Sequence, residues 1–425
     1  MSHHNDFIPD LLDLKDPHIK FYENCYTEEV LQGFLSKIFH GVLTYEPHCC
    51  EHCGTLFDQQ IIKHGFKTST IKLLNISGFH SYLRLKKQRY LCKHCGSTFT
   101  LKTRLVDKHC YISNNTKLSV ALRAKDKISE KDIAKEHNVS HSTVNRLIDR
   151  FYQHYKPNYN YLPKHLCFDE FKSVKSAAGS MSFLFCDAAT GRILDIVEDR
   201  RLFVLERYFS KYSKASRKKV ETIVTDIYSP YISLIRKWFP RANIILDKFH
   251  LIQLFSRSLN KTRIELMKSL KKEHGKLKKY WKLFLMDPEK LSSQAFRYCR
   301  SFKKPMRLMD ILESLLSLSP KLRASYELYH HVRRSVKQKD MQQLQAVLSE
   351  YKLQVSSHMQ VSIRTFEKYS DYIENTLKYP YTNGILEGLN NKIKVIKRIA
   401  FGYRCFHHFK NRIMITQNIA DLKTN

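Results

Sequence analysis

The chain has 425 residues, with 73 Lys and Arg against 40 Asp and Glu, a formal net charge of +33. A hydrophobic fraction of 43%, 12% of the chain being aromatic, excludes wholesale disorder, and the length suggests about two to four domains. So basic a chain points to a polyanionic partner, nucleic acid, rather than to a merely soluble basic surface or a ribosomal neighbourhood.

No run approaches the roughly 18 consecutive apolar residues of a membrane helix. Asp6, Asp10, Asp13 and Asp16 stand where a secretory signal needs basic and apolar stretches. The 11 cysteines are odd in number, and four of them form two Cys-x-x-Cys pairs, which reads as metal binding in a reducing, cytosolic compartment.

In chain order, residues 1–45 read as a helical lead-in, because Tyr26 to Leu35 has helical apolar spacing. Residues 46–110 read as a zinc-ribbon-like domain. Cys50-Glu-His-Cys53-Gly54 and Cys92-Lys-His-Cys95-Gly96 are near-copies. Each places two thiolates on one tight turn, and four thiolates suit a tetrahedral, structural Zn²⁺; the glycine after each pair gives the turn its backbone freedom. Cys49, His52 and His94 are alternative ligands. Residues 111–156 read as a helix-turn-helix. Ser129 and Asp132 have capping-box spacing, Asn138 to Ser140 makes the turn, and a second helix starts at His141. Ile133, Ala134, Val139, Val144, Leu147 and Ile148 fall on the shared core, leaving His141, Ser142, Thr143, Asn145 and Arg146 to face DNA.

Lys156 to Pro163 carries two prolines and is the best linker candidate. Beyond it, residues 157–259 follow the order strand, hairpin, helix, strand, helix, strand, that of an α/β RNase H-like catalytic domain. Residues 260–375 read as a basic helical insertion without strands. From Arg257 to Lys282 there are ten Lys and Arg against Glu265 and Glu273, and Tyr280 and Trp281 inside the run could stack on an unpaired base, although core packing is the commoner fate of a Trp. Residues 376–425 read as the final helices of the catalytic core.

Asp169 ends the first strand of this domain and Asp226 follows the Val220–Thr225 strand, so the two can meet at one sheet edge. At ~100° per residue, Ile385, Leu389, Ile393 and Ile396 share one helix face. Glu387, Asn391, Lys394 and Arg398 share the opposite one, a carboxylate heading a row of phosphate-binding groups. Three converging carboxylates are what two-metal phosphodiester chemistry requires.

Phe168-Asp-Glu-Phe171, Thr225-Asp-Ile-Tyr-Ser-Pro-Tyr231, Asp247-Lys-Phe-His250, Thr382-Asn-Gly-Ile-Leu-Glu-Gly-Leu-Asn-Asn-Lys-Ile-Lys394 and the tail Ala400 to Phe409 together resemble the bacterial ISL3 family of insertion-sequence DDE transposases. The resemblance spans nearly the whole chain, zinc knuckles and helix-turn-helix included; Ile227-Tyr228 departs from the Met that the family more often carries there. It implies a catalytic triad of Asp169, Asp226 and Glu387 holding two Mg²⁺ (or Mn²⁺), with Asp247 and His250 auxiliary. It also implies DNA, both element ends and target, as partner, at least a dimer when two ends are brought together, and a nucleoid-associated protein of the bacterial cytoplasm. The competing readings are a nuclease or resolvase on the same frame, and a domesticated, non-catalytic DNA-binding regulator.

Overall fold

The structure, a computed structural model, describes residues 7–292 and 295–423; the first six residues of the expected lead-in lie outside these. The chain divides into two compact units, Met1–Lys156 with Ile393–Asn425, and Pro157–Lys392.

The first unit opens with a short helix, α1 (Phe7–Leu11), and then a sheet of β1 (Ile19–Leu31), β2 (Phe34–Leu43), β3 (Ile61–Lys72), β4 (His80–Cys92) and β5 (Thr98–Thr100). Its order is β1-β2-β4-β3, with β5 on β4. The helical expectation for residues 1–45 is therefore wrong: most of that stretch is a β-hairpin. Gln32 and Gly33 both adopt positive φ (53° and 83°) between Leu31 and Phe34, which pair; this is the two-residue turn that matches strand twist. The apolar spacing that imitates a helix is two strands read through their turn, and Val30, Phe34 and Leu35 are exposed. Helices α2 (Asn114–Arg123), α3 (Glu130–Glu136) and α4 (His141–Phe151) follow.

The second unit is built on a mixed five-stranded sheet of β6 (His165–Lys172), β7 (Met181–Asp187), β8 (Ile193–Val197), β9 (Thr222–Thr225) and β10 (Asn243–Leu246), in the order β10-β9-β6-β7-β8. β6, β7 and β8 pair antiparallel, while β9 and β10 continue parallel to β6. The turn before β8 is tied by Asp187, which accepts from the Ala189 N–H and the Thr190 hydroxyl. Helices α5 (Leu202–Phe209), α6 (Lys214–Lys218) and α7 (Ser229–Trp238) link the strands. Phe168, Phe183, Phe185, Phe209 and Tyr231 fill the core beside the sheet.

Helix α8 (Lys248–Ser269) leaves the sheet edge and enters the helical block of α9 (His274–Lys279), α10 (Pro288–Ser292), α11 (Leu308–Leu316), α12 (Pro320–Gln338), α13 (Met341–Tyr351), α14 (Ser357–Lys368) and α15 (Ser370–Lys378). One buried cluster runs from the sheet through Phe255 of α8 to Phe366 of α14, whose rings meet edge to face at 4.7 Å. The block is not purely helical as expected: β11 (Arg297–Cys299) and β12 (Lys304–Met306) form a small hairpin. α15 then returns to cover the open edge of β10. Thr376 Oγ1 bonds both the N–H and the carbonyl of Leu246, and Asn375 Nδ2 donates to the Ile244 carbonyl, satisfying backbone groups that an edge strand otherwise exposes.

Helix α16 (Gly384–Ile399) follows, then α17 (Phe406–Thr416). Contrary to the expected 376–425 segment of the catalytic core, residues from Ile393 onward belong to the first unit. There Arg412 of α17 donates to the Asp126 and Ile128 carbonyls, and the Lys423 N–H reaches the Phe151 carbonyl. A returning C-terminal segment leaves no local signal of which earlier element it joins.

Candidate functional site

Strand register assembles the acids of the second unit. Cys167 pairs with Val224 and Leu246 with Thr225. In this register Asp169, Asp226 and Asp247 occupy equivalent positions across three adjacent parallel strands. Asp226 and Asp247 follow the ends of β9 and β10, the side where open α/β sheets place their ligands, whereas Asp169, expected to end its strand, lies inside β6, which runs on to Lys172 in its pairing with β7. Asp226, Asp247 and His250 bring one potential metal-ligating atom each within 4.8 Å of one another. His250, in the first turn of α8, lies 2.9 Å from Asp226 Oδ1 and 3.0 Å from Asp247 Oδ2 through its Nδ1. These two carboxylates raise its pKa to about 10, so at neutral pH an imidazolium sits between two acids.

Asp169 is held differently. Burial is the largest influence on it and repulsion from Asp226 adds to that, lifting its pKa to about 7 in spite of the Glu170 N–H it accepts. A cation beside it would offset both effects. Neighbouring Glu170 takes no part in the row: it pairs with Arg200 and accepts from the Tyr231 hydroxyl at 2.7 Å.

Helix α16 docks on this row through two buried amides that sequence reasoning did not single out. Asn383 Nδ2 donates to the Phe168 carbonyl at 3.3 Å and to Asp226 Oδ1 at 3.5 Å, while its backbone N–H faces Asp247 Oδ1 at 3.4 Å. Asn390 Nδ2 donates to Asp169 Oδ2 at 2.7 Å. Glu387 stands between them, four residues after one and three before the other, so it shares their side of the helix within about 60°. Its carboxylate is exposed and lies outside the Asp226–Asp247–His250 cluster. The buried stripe of α16 is Leu386, Leu389, Ile393 and Ile396. Ile385, expected on that face, is exposed, whereas Asn391, Lys394 and Arg398 are exposed as their spacing implies. In the basic run Arg263 is buried, donating to the Leu277 carbonyl. Trp281 lies at the surface rather than in the core, and Tyr280 packs its hydroxyl against Cys299 Sγ at 2.9 Å.

The metal centre of the first unit is more compact. Cys50, Cys53, Cys92 and Cys95 converge, with Cys50–Cys95 and Cys53–Cys92 sulfur separations of 3.7 Å. Zn–S bonds of about 2.3 Å in a tetrahedron require sulfurs roughly 3.8 Å apart, so the donor set fits Zn²⁺. Gly54 and Gly96 have φ of 75° and 70°, conformations that the knuckle turns need and that other residues resist. Cys49, His52 and His94 are not in the quartet.

The helix-turn-helix is fastened to the same sheet. Ser129 and Asp132 cap α3 reciprocally. Lys72 of β3 donates to the Asn138 carbonyl, Asn138 Nδ2 donates to the Tyr82 hydroxyl at 3.0 Å, and Asn75 Nδ2 donates to the Glu136 carbonyl at 2.8 Å. On α4, His141, Ser142 and Arg146 are exposed, whereas Thr143 and Asn145 are half-buried. Asp107 ties α2 to α4 by accepting from Lys117 Nζ at 2.8 Å and Arg150 Nη1 at 2.6 Å, which holds its pKa at about 2. The folded value lies below the unfolded one, so this contact stabilises the fold above pH ~4 and is lost as pH falls toward ~2. Asp107→Asn should lower the stability at pH 7 by about 1 kcal/mol or more, because Asp107 is half-buried and the buried Lys117 loses its carboxylate partner. The difference from wild type should vanish near pH 2 in thermal scans.

Comparison with known proteins follows the same division. A family model for ISL3 DDE transposases, described as a transposase, matches residues 166–413. A model for the zinc-finger of transposase IS204/IS1001/IS1096/IS1165 matches 46–95, and one for the helix-turn-helix domain of transposase family ISL3 matches 101–152. The transposase for insertion sequence element IS1001 of Bordetella parapertussis is 20% identical over 371 residues, 85% of this chain and 86% of that protein. A Lactococcus lactis subsp. lactis protein named ATP-dependent protease is 43% identical over 111 residues, 26% of this chain; the match spans only 36% of that protein. Among the described residues no helix is long and apolar enough to cross a membrane. The transposase model alone covers more than half of the chain, behind a DNA-binding helix-turn-helix and a four-cysteine ribbon suited to structural zinc, and the protein belongs to the ISL3 family of DNA transposases.

Proposed function

We propose that this transposase binds the terminal inverted repeats of an insertion sequence, cuts the DNA there, and joins the freed 3′-hydroxyl to target DNA, on a catalytic domain of RNase H-like fold. The observation that carries the reading is the row of Asp169, Asp226 and Asp247 at equivalent register positions across β6 and the ends of β9 and β10, with the Glu387 helix pinned to it by Asn383 and Asn390. The sheet order, three antiparallel strands extended by two parallel ones, supports the fold assignment.

Asp169, Asp226 and Glu387 are the residues that would hold two Mg²⁺ or Mn²⁺. Such ions supply activation of the attacking oxygen and charge stabilisation at the leaving one. Asp226 follows β9, the middle strand of the row. His250 offsets part of the charge of Asp226 and Asp247, a role that a bound cation would also supply, and Asp247 fixes His250 and the Asn383 backbone. In the first reaction water attacks the phosphorus at the element end, and the bond to the 3′-oxygen breaks to free a 3′-hydroxyl. In the second, that hydroxyl attacks a target phosphodiester in line and a target 3′-hydroxyl leaves, so the number of phosphodiester bonds is conserved. No side chain is required as a covalent nucleophile.

His141, Ser142, Thr143, Asn145 and Arg146 of α4 read the end duplex, and Asn391, Lys394 and Arg398 hold backbone phosphates. Arg146→Ala should weaken binding of end duplex about 10-fold, measured by fluorescence anisotropy at fixed salt. Two ends brought together require at least two chains, and the bacterial nucleoid is the expected place of action. Strand transfer tests the reading against a nuclease or resolvase. Labelled end DNA with a recessed 3′-hydroxyl is incubated with plasmid, the full chain and Mn²⁺. Joined product is expected; cutting without any joining would overturn transposition in favour of a resolvase.

A further inference from the structure

Asn390 is held at one end only. Its Nδ2 donates to Asp169 Oδ2 at 2.7 Å, while its Oδ1 is buried and finds no hydrogen-bond partner among the described residues. The side chain is only 8% exposed. A buried carbonyl oxygen without a partner costs roughly 1–3 kcal/mol, and native folds retain such groups where they serve a purpose. The surroundings of Oδ1 offer no group that selects oxygen over nitrogen, so the Asp169 contact alone sets which way the carboxamide faces.

The two ends of a carboxamide are nearly equal in size, and a half-turn about its last torsion exchanges them. In the cation-free protein that exchange is opposed, because it sets the amide oxygen lone pairs against a carboxylate oxygen. A divalent cation beside Asp169 reverses the preference, since it needs oxygen ligands. The spacing already present suits this. Neighbouring oxygens on an octahedral ion with bonds of about 2.0–2.1 Å stand roughly 2.9 Å apart, close to the observed 2.7 Å between the Asn390 and Asp169 atoms.

We propose that Asn390 is a switching ligand, an N–H donor to Asp169 in the cation-free protein and an oxygen ligand beside Asp169 once a divalent cation is bound. The proposal rests on the reading that Asp169 holds a cation. It assigns Asn390 a part beyond the acid triad, and it makes α16 both the carrier of Glu387 and a wall of the cation site.

The test separates a ligand from a brace. Mn²⁺ is titrated into the full-length chain and free Mn²⁺ is followed by electron paramagnetic resonance, for wild type, Asn390→Ala, Asn390→Asp and Asp169→Ala. A ligand role predicts that Asn390→Ala weakens Mn²⁺ binding at least about 10-fold. Asn390→Asp, which cannot donate to Asp169 but brings an oxygen, should bind as tightly as wild type or tighter. Its thermal midpoint should fall without metal, from repulsion of Asp169, and recover with Mn²⁺. If Asn390→Asp binds as weakly as Asn390→Ala, or if neither variant changes affinity, Asn390 is only a brace and the proposal is overturned. If Asp169→Ala binds Mn²⁺ like wild type, the reading of Asp169 itself falls, a result that the Asn390 variants cannot mimic.

Discussion

Asp226→Asn is expected to yield a transposase that still binds end DNA and loses cleavage and joining together, each by at least about 10³-fold in single-turnover assays. The substitution keeps the shape of the side chain and removes its charge. Asp226 stands between the positions of Asp169 and Asp247, accepts from His250 at 2.9 Å, and faces Asn383, so its charge is shared by everything in the site. A neutral amide there would be a poorer cation ligand, and it leaves the His250 imidazolium with Asp247 alone. End-DNA binding should change little, because the α4 residues proposed to carry it lie in the first unit. Equal loss from both reactions is the expected signature of one site working twice; a variant that lost joining and kept cutting would require separate sites.

Withdrawal of zinc should have the second large effect, and it should reach beyond the ribbon. Structural Zn²⁺ in small domains contributes apparent binding energies of about 10–16 kcal/mol, as large as the whole stability of an ordinary domain. Cys92 ends β4 and is wholly buried. β4 is also the strand that carries Tyr82, and its partner β3 carries Lys72; both side chains fasten the turn before α4. Cys92→Ser, or exposure to a strong chelator, is therefore expected to release Zn²⁺, unfold the β3–β4 hairpin and abolish end-DNA binding, although no cysteine is expected to touch DNA. Metal content, anisotropy with end DNA, and hydrogen exchange across residues 129–151 read the three consequences. Unchanged DNA binding by zinc-free protein would show that α3 and α4 stand without the ribbon.

The acid row was legible because each of three short buried stretches leads into an aspartate, although β6 runs on past Asp169 to Lys172 rather than ending there. Cys167-Phe-Asp169, Val224-Thr-Asp226 and Ile245-Leu-Asp247 repeat the same phrase, and parallel register turns repetition into proximity. Asp247 nonetheless read only as an auxiliary, because its equivalence depends on the pairing of β9 with β10. The ribbon cysteines and the α3–α4 turn were legible because their spacing is local. Asn383 and Asn390 were not, since a buried amide is recognised by its partners, and these lie 157 and 221 residues away. The β1–β2 hairpin was misread because five apolar side chains happened to fall at helical intervals across a turn at Gly33. The allegiance of α17 was hidden for a similar reason: Arg412 finds its partners nearly 290 residues upstream.

Completed by Glu387, whose side chain is exposed on α16, Asp169 and Asp226 would grip two divalent ions. The most direct measurement is the number of Mn²⁺ bound per chain in the complex with end DNA. Two are expected for the wild type, close enough (~4 Å) to couple magnetically, and fewer than two, with no cutting, for Glu387→Gln. Two coupled ions and undiminished cleavage in Glu387→Gln would contradict this grip.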